Sequence, residues 1–496
     1  MRPSRTFKNI PLPCAIPQDD SVILDTVRRF SAAHKAKVYM VGGYLRDILL
    51  KRQKINPDMD FALQKGSIHF ARALCRRMKC GFVLLDKERG IVRLVKKFKG
   101  KIYTLDFADF RGRTLEEDLR LRDFTVNALA LELGGLKRAR APESGIIDPH
   151  GGLDDLRRGV LKIADKTVFD DDPLRILRGF SLSAIFGFVI DKDALKYLKL
   201  ARDKLGAVSP ERVRDELFKI LDTPHSASYL EEMDKLRVLS AALPEIEVMR
   251  GVKQGPYHHL DVWRHSLETV RQLEEALKRF AGNSVVQAYL NEEICDGRKR
   301  RALLKLGALL HDIGKPASKR REKGRTKFHG HERAGMLITR AISGRLKLSN
   351  EEINSLRKMV FWHLRPGYLA DNEEITPRAK FRYFRDTGRE GVSVLLLSIG
   401  DQRATRGPLT SESERRHHEK VVFGLISEYL RRKKEKPLRR LINGDDLIKK
   451  FHLASSPFIG EILKDIEELQ AIGKVRTKKQ ALAAARDIVL KASRRP

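Results

Sequence analysis

Strand-like runs in this chain stop near residue 165, and that boundary limits what it can fold into. Before it, short apolar stretches alternate with helical patterns. KVYMV (37–41) reads as a buried strand, GGYLRDILLKR (42–52) as a turn into a helix, and DMDFAL (58–63) as a second strand. GFVLLDKERGIVRLV (81–95) has the form of a hairpin pair, and KIYTLDFADF (101–110) is another strand. A helix carrying Val22, Leu24, Val27 and Phe30 at helical spacing precedes them, and helix and loop alternate from 110 to about 165. Beyond 166, DPLRILRGFSLSAIFGF, SPERVRDELFKIL and SASYLEEMDKLRVLSAAL all carry helical periodicity, and residues 260–425 are again helical apart from a loop after 310 rich in Gly and Lys. The expected fold class is α+β: a small mixed sheet with helices, followed by all-helical regions. The expected segments are a flexible arm (1–20), an α/β head (21–165), a helical neck (166–250), a second helical domain (251–425) and a basic helical C-terminal unit (426–496).

Charge narrows the partners. Lys plus Arg number 99 against 65 Asp plus Glu, a net +34. Such an excess points to a polyanion, nucleic acid first and an anionic membrane surface second. No apolar stretch approaches the roughly 18 residues needed to span a bilayer, which excludes an integral membrane protein. The four cysteines, Cys14, Cys75, Cys80 and Cys295, form no CxxC pair and no disulfide framework. Together with a proline-broken N-terminus that is no secretory signal, this predicts a reducing, cytoplasmic setting.

Asp58 and Asp60 sit two apart in DMDFAL, so on a strand both carboxylates face one way. Two carboxylates on one site are what divalent metals need for in-line phosphoryl transfer, although Asp-x-Asp is also a common polar strand end. Gly42 and Gly43 end one strand and open a helix, where backbone can approach a triphosphate; a plain Gly-Gly turn would look the same. GxxxxGK[ST] does not occur, which excludes a P-loop NTPase.

GGYLRDILL and DMDFAL, followed in order by LEEDLRLRDFTVNALAL (115–131), IIDPHGGLDDL (146–156), DDPLRILRGF (171–180) and SPERVRDEL (209–217), resemble the polymerase-β-like nucleotidyltransferases. Within them the match is to the bacterial class of tRNA nucleotidyltransferases, the CCA-adding enzymes, and their poly(A) polymerase relatives. The resemblance covers residues 38–220. It implies that Asp58 and Asp60 hold Mg²⁺ and are catalytic. It implies that Gly42, Gly43 and Arg46 line the triphosphate pocket, and that Arg122, Asp123 and Asn127 hold sugar and phosphate. It further implies that Asp172 and Arg175 select the base, with Arg178 a further nucleotide contact. A carboxylate accepts from the exocyclic amine shared by cytosine and adenine and an Arg donates beside it, so residues three apart on a helix could replace a template. The same spacing also makes an ordinary surface ion pair.

Four features stand out against the family pattern. Asp171 replaces a usual Glu, and Ser181 stands where an Arg is usual. Asp106 is a possible third carboxylate or a strand-end cap. Most consequential, only nine residues, FADFRGRTL, lie between Asp106 and Glu116. A short segment there resembles the members that add only CC and leave the final A to a separate A-adding enzyme.

A second constellation comprises His265 in DVWRHSLETV, His311 and Asp312 in HDIGKP, His331 in HGHERAG, His363 in FWHLRP and Asp401 in SIGDQRAT. Imidazoles and carboxylates on separate helices can enclose one or two hydrolytic metals. The pattern resembles the HD-domain phosphohydrolases and implies a divalent transition metal, four residues on one ion with His331 and His363 supplying a second. His329, two residues from His331, is the competing ligand. A degenerate, purely RNA-binding HD fold is the alternative. The basic runs KRREKGRTK (319–327) and RRKKEKPLRR (431–440) add phosphate-binding charge.

The resulting expectation is an enzyme that adds CCA, or only CC, to tRNA from CTP and ATP, with no membrane partner. The alternatives are a poly(A) polymerase of the same family, a non-catalytic RNA-binding protein, and an HD phosphohydrolase with an idle head.

Overall fold

The computed structural model describes residues 16–135, 145–432 and 439–492. They divide into two compact units: the residues up to Ile220 with Met233–Ala242, and Leu221–Glu232 with the residues from Leu243 on.

The first unit is built on seven strands: β1 (Tyr39–Val41), β2 (Asp58–Leu63), β3 (Gly81–Asp86), β4 (Ile91–Phe98), β5 (Lys101–Asp109), β6 (Ala130–Glu132) and β7 (Ile146–Ile147). Their order is β3-β4-β5-β2-β1-β6-β7. β2 and β5 run parallel and every other neighbouring pair is antiparallel, a mixed sheet. Alternation decides its faces. Tyr103, Leu105 and Phe107 of β5 and Met59 and Phe61 of β2 are buried on one side, where Phe61 stacks on Phe107 at 4.8 Å and Phe70 of the helix Ser67–Met78 packs on them. Asp58, Asp60 and Asp106 are thereby left together on the other side. The helices Arg175–Phe186, Lys192–Ala201 and Pro210–Leu221 follow.

Two expectations need correction. The segment 110–165 is not only helix and loop: β6 and β7 extend the sheet beyond β1. At two and three residues they are too short to show a period. The arm 1–20 ends too late, because the first helix starts at Gln18 and Asp20 is buried, accepting from Tyr44 and Tyr103 at 2.8 and 2.9 Å. Residues 1–15, Cys14 included, lie outside the described residues.

The second unit is mainly helical. Its central helices are Val262–Lys278, Arg300–Leu310, His331–Arg345, Asn350–Trp362 and Gly391–Ala404. The Lys- and Gly-rich loop after 310 is instead largely a hairpin, Arg320–Glu322 against Arg325–Lys327. Helices Gly444–Phe451, Pro457–Ala471 and Lys478–Ala492 close over an apolar cluster of their own that includes Leu447, Ile462, Ile466, Ala481 and Ala485. Buried Glu468 ties this cluster to Arg378 and Arg382 at 2.5 and 2.7 Å. Residues 433–438 of the second basic run lie outside the described residues. No helix among the described residues is long and apolar enough to cross a membrane.

Candidate active sites

β2 and β5 pair in a register that sets Asp60 beside Asp106. Asp106 is therefore mid-strand, not a strand-end cap, and Arg93 of β4 grips both its oxygens at 2.9 and 2.7 Å. Burial, and behind it the Asp106 and Asp58 carboxylates, raise Asp60 above the usual carboxylate range, while Arg122 pulls it down. Gly42 closes the site. At φ +76° it occupies a conformation that L side chains rarely adopt, and a Cβ there would sit 2.8 Å from Asp60 Oδ2 and 3.4 Å from Arg122 Nη1. Gly42, Asp60 and Arg122 thus converge, with Asp58 exposed at the strand's start. Asp118 orients Arg122, accepting from it at 3.0 Å. These hard oxygen donors, crowded enough to raise one of their own pKa values, suit Mg²⁺.

Behind them lies a buried polar chain. Arg46 donates to Asp47 at 2.7 Å and to Asn127 at 2.6 Å, and stacks on Phe186 at 4.4 Å. Asn127 donates to Asp123 at 3.0 Å, and Asp123 pairs with Arg178 at 2.8 Å. Burial alone would raise Asp123, but Arg178, Asn127 and the Phe124 amide together hold it below the usual range. Arg46 is thus engaged inside the fold, and Gly43 faces its guanidinium.

The pair Asp172/Arg175 departs from the expected geometry. Asp172 is not on the helix with Arg175: it is extended (φ −146°, ψ 95°) at the end of Val168–Asp171, and the helix starts at Arg175. The intervening Pro173 explains this, since a residue before proline avoids the helical region. The two side chains do not form an ion pair. Asp172 takes Arg212 at 2.8 Å, and Arg175 donates to the Val168 carbonyl at 3.0 Å. Ser181 is buried and donates to buried Glu216, which also takes Lys219 at 2.7 Å.

In the second unit all six expected residues come together. His265, His311 and Asp401 form one possible metal-binding group, and Asp312, His331 and His363 another. Asp312 bridges them. Its Oδ2 lies 3.6 Å from His265 Nε2 and 3.2 Å from His311 Nε2; its Oδ1 lies 3.4 Å from His331 Nε2 and 3.7 Å from His363 Nε2. Asp401 Oδ1 is 2.9 Å from His265 Nε2. One local device repeats: His311, His331 and His363 each set Nδ1 against the carbonyl three residues back, at 2.8, 2.8 and 2.6 Å. A protonated Nδ1 bonded there leaves Nε2 free to ligate. His311 Nε2 is buried without a hydrogen-bond partner among the described residues, the orphan a metal would satisfy. Burial would lower His311, but Asp312 and Asp401 push it up to about 10, whereas burial takes His363 down to about 3. The pocket already favours one positive charge, and its mixed N/O donors suit a divalent transition metal. His331 is the inward residue and His329 is exposed.

Sequence reasoning did not single out Arg93, Lys315, Gln254 or His258. Lys315 donates to Asp312 Oδ2 at 2.6 Å and to Gln254 at 2.7 Å. His258 stands edge-on to His265 at 4.8 Å. Arg93 carried a signal: a charge inside IVRLV must face away from the core.

Comparison with known proteins follows this layout. Residues 38–162 match the Poly A polymerase head domain, 187–249 the "Probable RNA and SrmB- binding site of polymerase A", 262–386 the HD domain, and 427–485 tRNA nucleotidyltransferase domain 2. The chain is 32% identical over 455 residues to the A-adding tRNA nucleotidyltransferase of Deinococcus radiodurans, covering 90% of this chain and 94% of that protein. It is 32% identical over 459 residues to the CC-adding tRNA nucleotidyltransferase of Thermus thermophilus, covering 90% and 92%. The fold is that of the Thermotoga maritima CCA-adding enzyme complexed with tRNA, with TM-score 0.63 at 23% identity over 96% of each chain. Aligned nearly end to end with such relatives, and keeping in one chain both a carboxylate-bearing head and a histidine–aspartate bundle, this protein belongs to the tRNA nucleotidyltransferase family of enzymes.

Proposed function

We propose that this protein transfers nucleotides from CTP and ATP to the 3′ end of tRNA without a nucleic-acid template, in the cytoplasm. The observation that carries the reading is the convergence of Asp60, Gly42 and Arg122, with Asp58 on the same strand face two residues earlier and Asp106 in register beside Asp60. Asp58 and Asp60 would hold Mg²⁺, which when bound supplies a Lewis acid for the attacking 3′-hydroxyl and for the departing pyrophosphate. Gly42 leaves room for the triphosphate against the backbone, and Arg122 faces its charge. Arg46, Asp123, Asn127 and Arg178 keep the strand end and the following helix in fixed relation. Asp172 accepts the exocyclic amine of C or A and Arg175 donates beside it. That requires Asp172 to exchange Arg212, and Arg175 to exchange the Val168 carbonyl, for the base.

A second reading, addition of CC only, is favoured by the segment after β5. It is a tight turn: the Arg111 amide donates to Asp118 at 3.1 Å, the Arg113 amide to Glu117 at 2.6 Å, and Thr114 caps the next helix. A turn held at each step has little freedom to reshape the pocket between CTP and ATP. The test is incorporation into tRNA transcripts ending at the discriminator base and at CC, with each NTP alone and in pairs. Growth to CCA supports the first reading, and a stop at CC supports the second. Extension of the CC-ended transcript alone, by A, overturns both in favour of A addition. Open-ended growth with ATP moves the assignment to a poly(A) polymerase.

The second unit would act as a phosphohydrolase. His265, His311, Asp312 and Asp401, with His331 and His363, would hold one or two divalent ions, which when bound supply a nucleophilic hydroxide near neutral pH. Water adds to phosphorus, the P–O bond to the leaving oxygen breaks, and the proton goes to that oxygen. Asp312→Ala is expected to abolish hydrolysis and leave nucleotide addition intact.

A further inference from the structure

We propose that the hairpin Arg320–Lys327 docks an RNA strand at the histidine–aspartate site, so that the substrate there is a phosphoester at an RNA end, not a free nucleotide. The inference rests on the hydrolase reading above.

The hairpin is built, not loose. Its strands pair Arg320 with Lys327, Arg321 with Thr326 and Glu322 with Arg325, and Lys323 and Gly324 at the tip have φ of 48° and 75°. Both being positive, the turn is of the type that matches strand twist. Its sequence works against its stability. Arg320 stands directly opposite Lys327, and like charges so placed destabilise a ladder. Glu322, the one acid, takes Lys327 at 3.1 Å. Among the described residues no carboxylate lies within ion-pair distance of Arg320, Arg321 or Arg325. One acid against five basic side chains in 320–327 leaves an excess of positive charge that an anion with repeated phosphates relieves.

Both legs are anchored in the ligand group. Upstream, Lys315 donates to Asp312 at 2.6 Å. Downstream, the Phe328 carbonyl faces His331 Nδ1 at 2.8 Å, and the Lys315 ammonium lies 5.8 Å from the Phe328 ring centroid. With three residues per strand at about 3.4 Å each, the tip stands roughly 10 Å beyond that base. Pleating puts Arg320, Arg325 and Lys327 on one face with Glu322, which leaves that face net positive, and Arg321 on the other. Charge strung along this length serves successive phosphates better than one. Residues 319–327 contain no apolar side chain to insert into a bilayer, which favours RNA over an anionic membrane.

The test uses the full-length chain with R320Q, R321Q and R325Q combined. Three probes are applied: a single-stranded RNA with a photoreactive 3′-terminal nucleotide and terminal phosphate, p-nitrophenyl phosphate, and anionic phosphatidylserine vesicles. Losing three phosphate contacts is expected to flatten the dependence of log K on log salt by about two, at roughly 0.7 per contact. Cross-links to residues 319–331 should vanish, and the ratio of RNA-end to p-nitrophenyl phosphate hydrolysis should fall at least about tenfold. An unchanged salt slope and cross-link pattern would overturn the proposal, as would equal loss on both esters or tighter binding to vesicles than to RNA. If the metal-loaded wild type hydrolyses neither ester, the hydrolase reading fails, while the salt slope and cross-links still decide the hairpin.

Discussion

The two sites gather side chains that could hold a metal ion, and do so in opposite ways. The head places its carboxylates by strand alternation on one face of β2 and β5, with Asp58 exposed and Asp60 half-buried. The histidine–aspartate site draws one or two residues from within or just past the end of each of five helices, with five of its six residues buried. Three of its four histidines, His311, His331 and His363, are further locked by carbonyls three residues back. A strand face can stay open to a substrate as large as a triphosphate and an RNA end, at the expense of precision in its carboxylates. A helical cage fixes each ligand in advance but admits only what reaches its mouth.

The strongest way to break this comparison is to cripple each site and read both activities. Asp60→Ala should lower nucleotide addition on the order of a thousandfold, beyond the 10–100-fold usual for an outer-shell partner, and spare ester hydrolysis. Asp312→Ala should do the reverse. If either substitution lowered both activities equally, the sites would not be independent. The next effect concerns access. Gly42→Ala puts an L side chain at φ +76° with its Cβ against Asp60. A strain of roughly 1–2 kcal/mol at that position, if taken from transition-state binding, is about a tenfold loss in addition rate. Steady-state kinetics with CTP checks it; unchanged kinetics would mean that the triphosphate does not pass over Gly42.

Legibility in the sequence followed the same divide. The strand DMDFAL announced both its face and its carboxylates because period two is visible in six residues. The six histidine and aspartate residues lie in five segments, 136 residues apart at the extreme, and only their motifs, not their spacing, join them. β6 and β7 were missed because two or three residues carry no period. Asp172 lies off the helix because Pro173 overrides the i, i+3 pattern. The basic run 319–327 reads as a phosphate-contacting loop, and its hairpin is not legible because the turn depends on Lys323 adopting a positive φ, which propensity does not foresee. Arg46 and Asn127 show a further gap: motif matching places them near nucleotide, but only coordinates reveal that they are bonded to each other.

A smaller effect tests the buried contact behind Ser181 in the helical neck. Ser181→Ala leaves buried Glu216 without its hydroxyl donor, although Lys219 still reaches its other oxygen. Loss of one donor to a buried carboxylate costs about 1–3 kcal/mol, so thermal unfolding should shift down by several degrees while the rate of addition at a temperature well below the transition changes little. A variant as stable as the wild type would mean that Glu216 finds solvent or another cation.

The smallest expected effect is an acid sensitivity of the first unit. Asp123 titrates below its unfolded value of about 3.9 because Arg178, Asn127 and the Phe124 amide outweigh its burial. Its ionised form therefore contributes stability above that pH, and the contribution is lost as pH falls through the lower, folded value. Asp123→Asn removes the titration and keeps the shape. Urea unfolding followed from pH 6 to pH 3 should show the wild type losing stability more steeply at the acid end than the variant, with the gap between them narrowing there. If the two curves instead run parallel throughout, Asp123 is not ionised against Arg178, and the buried chain that ties Arg46 and Asn127 to the neck is held by neutral hydrogen bonds alone.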